Sequence, residues 1–355
     1  MEQIVDPSSI ERFKVFLRKI GSGEQTSRNL SRAESREALS LMLKGKASAA
    51  QIGAFMIAHR IRRPHPQELA GMLDTYLNLG PKLFSNSKTQ NPICLGMPFD
   101  GRNKTAPIYP LTVLVLISEN QPVILQGGKR MPIKYGVTTA ELFASLGMEL
   151  RNLTIEQVQS GFHKNLFGFI YQPDHFPLAE SLINYRDEIS KRTTLATMEL
   201  LWTAHEGKHT IMSGFFHQAT EELAWQTLKE HNENDFIFIK GLEGSTDLSI
   251  ARKSIISRLN SNKLEQFNID PKQYGFFEKD TSWESLENWK ELALDAIDHN
   301  GPLLKPVIWN AANYLCFSGM ANDIQDGIKI ASASIESGKV KNTLMQLKKW
   351  RLNIN

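Results

Sequence analysis

Two glycine-containing loops hold the residues best suited to chemistry. In LGMPFDGRNKT, Gly96 closes a β-rich run, Asp100 follows shortly after, and Lys104 and Thr105 come next. In PVILQGGKR, Gly127 and Gly128 close a second such run, and Lys129 and Arg130 follow. Glycine lets backbone amides approach an oxyanion closely, and a helix starting beyond the loop turns its amino end toward the same charge. Lysine and arginine supply the positive charge that a phosphate recruits. A Gly-Gly turn flanked by surface charge is the plainer reading of the second loop, but its place after a strand favours anion binding. The first loop is less well suited. Pro98 has no amide hydrogen to donate, and Phe99 adds bulk where close approach is wanted.

The elements that must position these loops are legible from pattern. The chain has 355 residues with 41% hydrophobic and 22% charged content, enough for a large core and two domains. A net charge of +3 does not by itself call for a polyanionic partner. Cys94 and Cys316 are far apart and form no CxxC pair, which argues against a disulfide framework or a cysteine zinc site. The start MEQIVDPSS lacks the basic and apolar regions of a signal peptide. The longest apolar run, APIYPLTVLVLI, is interrupted by Pro110 and falls short of the ~20 residues needed to span a bilayer. A cytoplasmic protein with no membrane partner is expected.

The first eighty residues read as helices. Ser31–Glu34 and Ser48–Gln51 are capping boxes, Gly45 and Gly80 close helices, and Pro66 suits a first turn. From about residue 90, the runs PICLG, PVILQG, FGFIYQP, HTIMSGFF and DFIFIKG alternate with helical segments. The expected fold is α/β: a small N-terminal helical domain plus a larger domain with a mixed, mostly parallel sheet flanked by helices. Residues 1–88 form the helical domain, joined by a helical segment near 178–205. Residues 89–177 and 206–355 form the larger one. Residues 258–282 are expected to contain a long loop.

The segment SRAESREALSLMLKGKASAAQIGAFMIAHRIRRPHPQELAGM resembles the N-terminal helical domain of the anthranilate phosphoribosyltransferase family, whose architecture nucleoside phosphorylases share. The run VIWNAANYLCFSGMANDIQDGIKIASASIESGK resembles the family's C-terminal part. The family's first loop reads Gly-Thr-Gly-Gly-Asp, followed by a Thr-Phe-Asn-Ile-Ser-Thr helix start. Here Gly96, Asp100 and Thr105 match, whereas Pro98, Phe99, Pro107, Tyr109 and Pro110 replace glycine or polar residues. The second loop reads Lys-His-Gly-Asn-Arg-Ser in the family; Gly128 and Arg130 match it, and Lys129 adds a cation. Of the adjacent Asp-Glu pair that holds magnesium in the family, only Asp247 remains, with Thr246 in the first acidic place. Asp247 with Glu243 nearby implies a weak Mg2+ site; the alternative is that Asp247 caps a helix or turn. On the acceptor side, Arg186 and Arg192 match. Arg186 either grips an acidic acceptor or pairs with Asp187 or Glu188 on a helix surface.

Phosphoribosyl transfer relies on positioning and charge neutralisation, and the loss of one preorganised donor costs about 100- to 1,000-fold in rate. The resemblance therefore implies a phosphate-bearing ligand in an interdomain cleft, with weak or no anthranilate phosphoribosyltransferase activity. That ligand could be a nucleotide, a sugar phosphate or a nucleic-acid backbone. The alternative is an active glycosyltransferase or phosphorylase with a different acceptor. Nucleic acid stays open as a partner because Arg60, Arg62 and Arg63, then Lys129, Arg130 and Lys134, then Lys348, Lys349 and Arg351 form basic clusters. Each cluster is more often a solvated helix end. The resemblance also implies a homodimer through the N-terminal helices, with IGAFMIA as a contact that could equally pack inside its own domain.

Overall fold

The computed structural model describes residues 6–23, 25–86, 90–260 and 263–354. Four helices come first: α1 (Pro7–Ile20), α2 (Arg32–Leu43), α3 (Ala49–Arg62) and α4 (Pro66–Leu79). Both expected capping boxes form, Ser31 with Glu34 and Ser48 with Gln51. Glu68 makes a third, reaching back to the His65 amide at the start of α4. Ile52, Phe55 and Met56 of IGAFMIA are buried in this domain's own core, whereas Gly53, Ala54, Ile57 and Ala58 are not fully buried.

The chain then passes through β1 (Leu83–Phe84) into β2 (Ile93–Gly96), α5 (Tyr109–Ser118), β3 (Val123–Gly127), α6 (Thr139–Ser145), α7 (Ile155–Asn165) and β4 (Phe167–Tyr171). It returns to the helical part through α8 (Gln172–His175), α9 (Pro177–Glu180), α10 (Ile183–Ile189) and α11 (Leu195–Met198), where α10 packs on α3 and α11 on α4. It comes back through β5 (His205–Glu206), which pairs in parallel with β1, and continues into β6 (Thr210–Gly214), α12 (Gln218–Glu230) and β7 (Phe236–Ile239). A hairpin of β8 (Ser254–Asn260) and β9 (Lys263–Ile269) follows, then α13 (Leu286–Ile297), α14 (Leu304–Phe317), α15 (Ile324–Glu336) and α16 (Lys339–Leu352).

The main sheet has the order β4-β3-β2-β6-β7-β8-β9; its first five strands are parallel, and β8 and β9 are antiparallel. Strands β2, β3, β4, β6 and β7 are buried at every position, as strands covered on both faces must be. One face packs on α5, α6 and the C-terminal helices, the other on the N-terminal helices and the Leu195–Trp202 segment. Every residue of α5 is buried, so the longest apolar run is a core helix. No helix among the described residues is long and apolar enough to cross a membrane.

The β8–β9 hairpin takes up the first half of the stretch at 258–282 where a long loop was expected, and an irregular segment follows from 275 to 285. Strand β9, KLEQFNI, lies at the sheet edge with mostly exposed side chains, so it lacks the apolar alternation that marks a half-buried strand. The strand order reverses between β2 and β6: β3 and β4 extend one way from β2, and β6 and β7 the other. In open parallel sheets the crevice at the carboxyl ends of such a pair is where ligands collect. The loops after Gly96, Gly214 and Ile239 all open there.

Candidate functional site

The loop after β2 is clamped to the loop after β3. Gly136 N donates to Asp100 O at 2.9 Å and Val137 N to Arg102 O at 2.9 Å. The backbones approach so closely that a Cβ on Gly136 would stand 2.3 Å from Arg102 N, and Gly101 takes a left-handed φ of +75° to make the turn. This clamp drives the Arg102 side chain into the protein, where it is 2% exposed. Its guanidinium pairs with Asp247, bonds Thr105 Oγ1, donates to Ser245 Oγ at 3.3 Å and lies 3.6 Å from Glu243 Oε1. Asp247 is wholly buried and also accepts the Ile108 amide at 2.8 Å, where α5 begins. Glu243, from the loop after β7, accepts the amides of Asn103, Lys104 and Thr105 at 3.3, 3.2 and 2.9 Å and the Thr105 hydroxyl at 2.9 Å.

The electrostatics follow from this packing. Burial pushes the Asp247 carboxyl above its ordinary value, against the pull of the Arg102 charge. Burial also pushes Glu243 up, but the Thr105 amide and the Arg102 charge outweigh it and the carboxyl ends below its ordinary value. Desolvation lowers Lys134, whose ammonium donates to the Glu243 carbonyl at 3.2 Å.

Beside this network the space between the two loops is filled. Phe99 and Tyr109 are buried, Tyr109 Oη bonds Thr139 Oγ1 at 2.8 Å, and Met131 closes over Gly128. The remaining cavity, lined by Phe99, Arg102, Tyr109, Gly127 and Gly128, measures about 10 Å³. That is room for one water at most. A wider cleft of about 510 Å³ opens next to it. Lys104, Lys134, Arg192, Phe216, His217 and Glu243 line it, so it lies where Arg192 and Leu200 of the returning helical segment face the carboxyl ends of the strands. Among the described residues Lys104 makes no side-chain ion pair, and Arg192 stands 3.5 Å from Asp100.

The expected site residues separate into three groups. Lys104 and Arg192 line the cleft, and Asp100 and Thr105 lie behind that lining, in contact with Arg192 and Glu243 respectively. Gly127 and Gly128 line the filled cavity, while Lys129 pairs with Glu180 at 3.3 Å and Arg130 with Glu141 at 2.8 Å, and neither lines the cleft. Two assignments need correction, those of Gly96 and Arg186. Gly96 is required by the approach of the helical segment, because a Cβ there would stand 2.0 Å from Leu200 O. Arg186 neither faces the cleft nor pairs with Asp187 or Glu188; it is buried in an ion pair with Glu199 at 2.6 Å. Asp247 takes Arg102 and the Ile108 amide on Oδ2 and leaves its buried Oδ1 without a hydrogen-bond partner, and among the described residues no cluster of three or more possible metal ligands exists. Sequence reasoning missed Arg102 and Glu199 and gave Glu243 and Lys134 only minor parts. The signal for Arg102 was a basic residue two positions beyond Asp100 in a chain that keeps a lone acid at 247.

Comparison with known proteins agrees with this fold. Residues 111–341 match the α/β domain of a glycosyl transferase family and residues 14–80 its helical bundle domain. The chain is 27% identical over 333 residues to an anthranilate phosphoribosyltransferase of Acetivibrio thermocellus, covering 93% of this chain and 95% of that protein. Its fold is similar to that of the anthranilate phosphoribosyltransferase of Saccharomyces cerevisiae in complex with PRPP and Mg, with TM-score 0.80, 13% identity, and 97% and 99% of the two chains covered. The Thermus thermophilus enzyme gives TM-score 0.78 at 17% identity, with 96% and 99% covered. The chain belongs to this glycosyl transferase family.

Proposed function

We propose that this member of the glycosyl transferase family binds a small phosphate-bearing ligand, a nucleotide or a sugar phosphate, in the cleft beside Lys104, Lys134 and Arg192. We further propose that it has weak or no anthranilate phosphoribosyltransferase activity. One observation supports both halves: Arg102 and the amides beside it are engaged by the chain's own Asp247 and Glu243, while a cationic cleft of about 510 Å³ stays open beside them. A diphosphate leaving group needs preorganised donors and a cation against its developing charge. Here Arg102 is committed to Asp247, the amides of residues 103–105 to Glu243, and the space under Gly128 to Met131 and Tyr109. The cleft's volume suits a small molecule.

A small ligand is favoured over nucleic acid because the basic clusters are largely engaged within the chain. Arg62 pairs with Glu68, Lys129 with Glu180, Arg130 with Glu141, and Arg351 donates to the Glu149 carbonyl. Calorimetric titration with ribose 5-phosphate, a nucleoside monophosphate and phosphoribosyl diphosphate, each with and without magnesium, tests the proposal. Binding of at least one should be independent of magnesium and weakened tenfold or more in Lys104→Ala and Arg192→Ala. Magnesium-dependent binding of phosphoribosyl diphosphate coupled to turnover would establish the active transferase with another acceptor instead.

A further inference from the structure

Glu243 sits in a seat built for a stronger anion. Three consecutive amides, those of Asn103, Lys104 and Thr105, and the Thr105 hydroxyl all point at one carboxylate brought in from the far side of the crevice. Successive amides converging on a point form an anion-binding concavity. The backbone of Glu243 is left-handed, φ 54° and ψ 24°, which a non-glycine residue adopts at a cost of about 1 kcal/mol or more. Its side chain also lines the open cleft, so there is room for it to leave.

We infer that Glu243 is an internal stand-in for a ligand phosphate, and that a phosphate binds this protein by displacing the Glu243 carboxylate from the amides of residues 103–105. The inference rests on the cleft being the ligand site. A phosphate monoester carries about −1.5 to −2 charge and three acceptor oxygens, against one charge and two oxygens on the carboxylate. It therefore matches four converging donors better than the residue now holding them. Lys104 and Lys134 border the seat, and the Arg102 guanidinium, 3.6 Å from Glu243 Oε1, stays behind it. Two other acids lie close by: Asp247, held by Arg102, and Asp100 on the first loop, which faces Arg192. The sugar or base of the ligand then extends into the cleft toward Phe216 and His217. Because the wild-type protein must release its own carboxylate first, its affinity for phosphate is lower than the seat alone would give.

The test uses the full-length chain and its Glu243→Gln and Glu243→Ala variants, titrated with inorganic phosphate and ribose 5-phosphate and followed by thermal melting. Both variants should bind each probe at least tenfold more tightly than wild type. Glu243→Ala should melt lower than wild type in buffer and be restored by millimolar phosphate, which scarcely moves the wild type. Glu243→Gln keeps an acceptor in the seat and carries the affinity comparison if the alanine variant does not fold. If wild type binds ribose 5-phosphate through Lys104 and Arg192 but neither variant binds more tightly, the displacement idea is wrong and the cleft assignment stands. If no form of the protein binds either probe, both are wrong.

Discussion

Arg102 holds together two carboxylates and two hydroxyls, those of Asp247, Glu243, Thr105 and Ser245, that would otherwise face one another across the crevice, and it does so almost without exposure to solvent. Removing one partner of a buried ion pair leaves the other charge unsolvated, at about 3–5 kcal/mol. Arg102→Ala should therefore lower unfolding free energy by that amount in urea titrations. Adding Asp247→Asn should recover part of the loss, since the stranded charge is then gone. The displacing residues were readable in the sequence by type alone. A proline and a phenylalanine in a glycine loop, and a tyrosine where a small polar residue belongs, announce lost donors and added bulk. What occupies the vacated electrostatic position was not readable, because Arg102, Glu243 and Asp247 meet only when loops from β2 and β7 converge. The pairing of Arg186 with Glu199 was hidden in the same way: both are ordinary helix-surface residues by local pattern, and only tertiary burial joins them.

At the scale of elements, two of the glycines that end parallel strands do different work. A Cβ on Gly96 would collide with the Leu200 carbonyl, backbone against backbone, whereas one on Gly127 would meet the Phe169 ring at 3.6 Å and Thr139 Oγ1 at 3.7 Å, both ordinary contacts. Gly96→Ala should lower the melting temperature clearly and loosen the contact between the helical segment and the sheet. Gly127→Ala should change stability by about 1 kcal/mol or less. The helical domain makes a separate prediction. Burial pushes the Glu68 carboxyl up, yet the neighbouring His59 at 3.6 Å, Arg62 and the His65 amide bring it to about 2, below its ordinary 4.5. A carboxyl that is depressed in the folded state contributes stability that is complete above about pH 4.5 and is lost as pH falls toward 2. That contribution is roughly 3 kcal/mol. Glu68→Gln should flatten the acid limb of a stability–pH curve over this window. Capping boxes and buried parallel strands were legible because they are local or uniformly apolar; the polar edge strand β9 was not.

On the scale of the whole molecule, the strand-order reversal between β2 and β6 and the return of the chain to the helical part through α10 and α11 create one crevice with two compartments. One is packed shut, and the other is open, cationic and large enough for a nucleotide-sized guest. The architecture could be anticipated from the alternation of elements and from the resemblance at both ends of the chain. The division of the crevice into a filled and an open half could not, since it depends on side chains from four separate loops. The most direct test is the steady-state conversion of anthranilate and phosphoribosyl diphosphate by purified protein at saturating magnesium, followed by loss of anthranilate fluorescence. The expected result is turnover at least about 100-fold below the usual enzymatic range, or none above the uncatalysed background. Conversion at the about 1–10³ s⁻¹ usual for enzymes would show that Arg102 and Glu243 vacate the site and that the protein is a working anthranilate phosphoribosyltransferase.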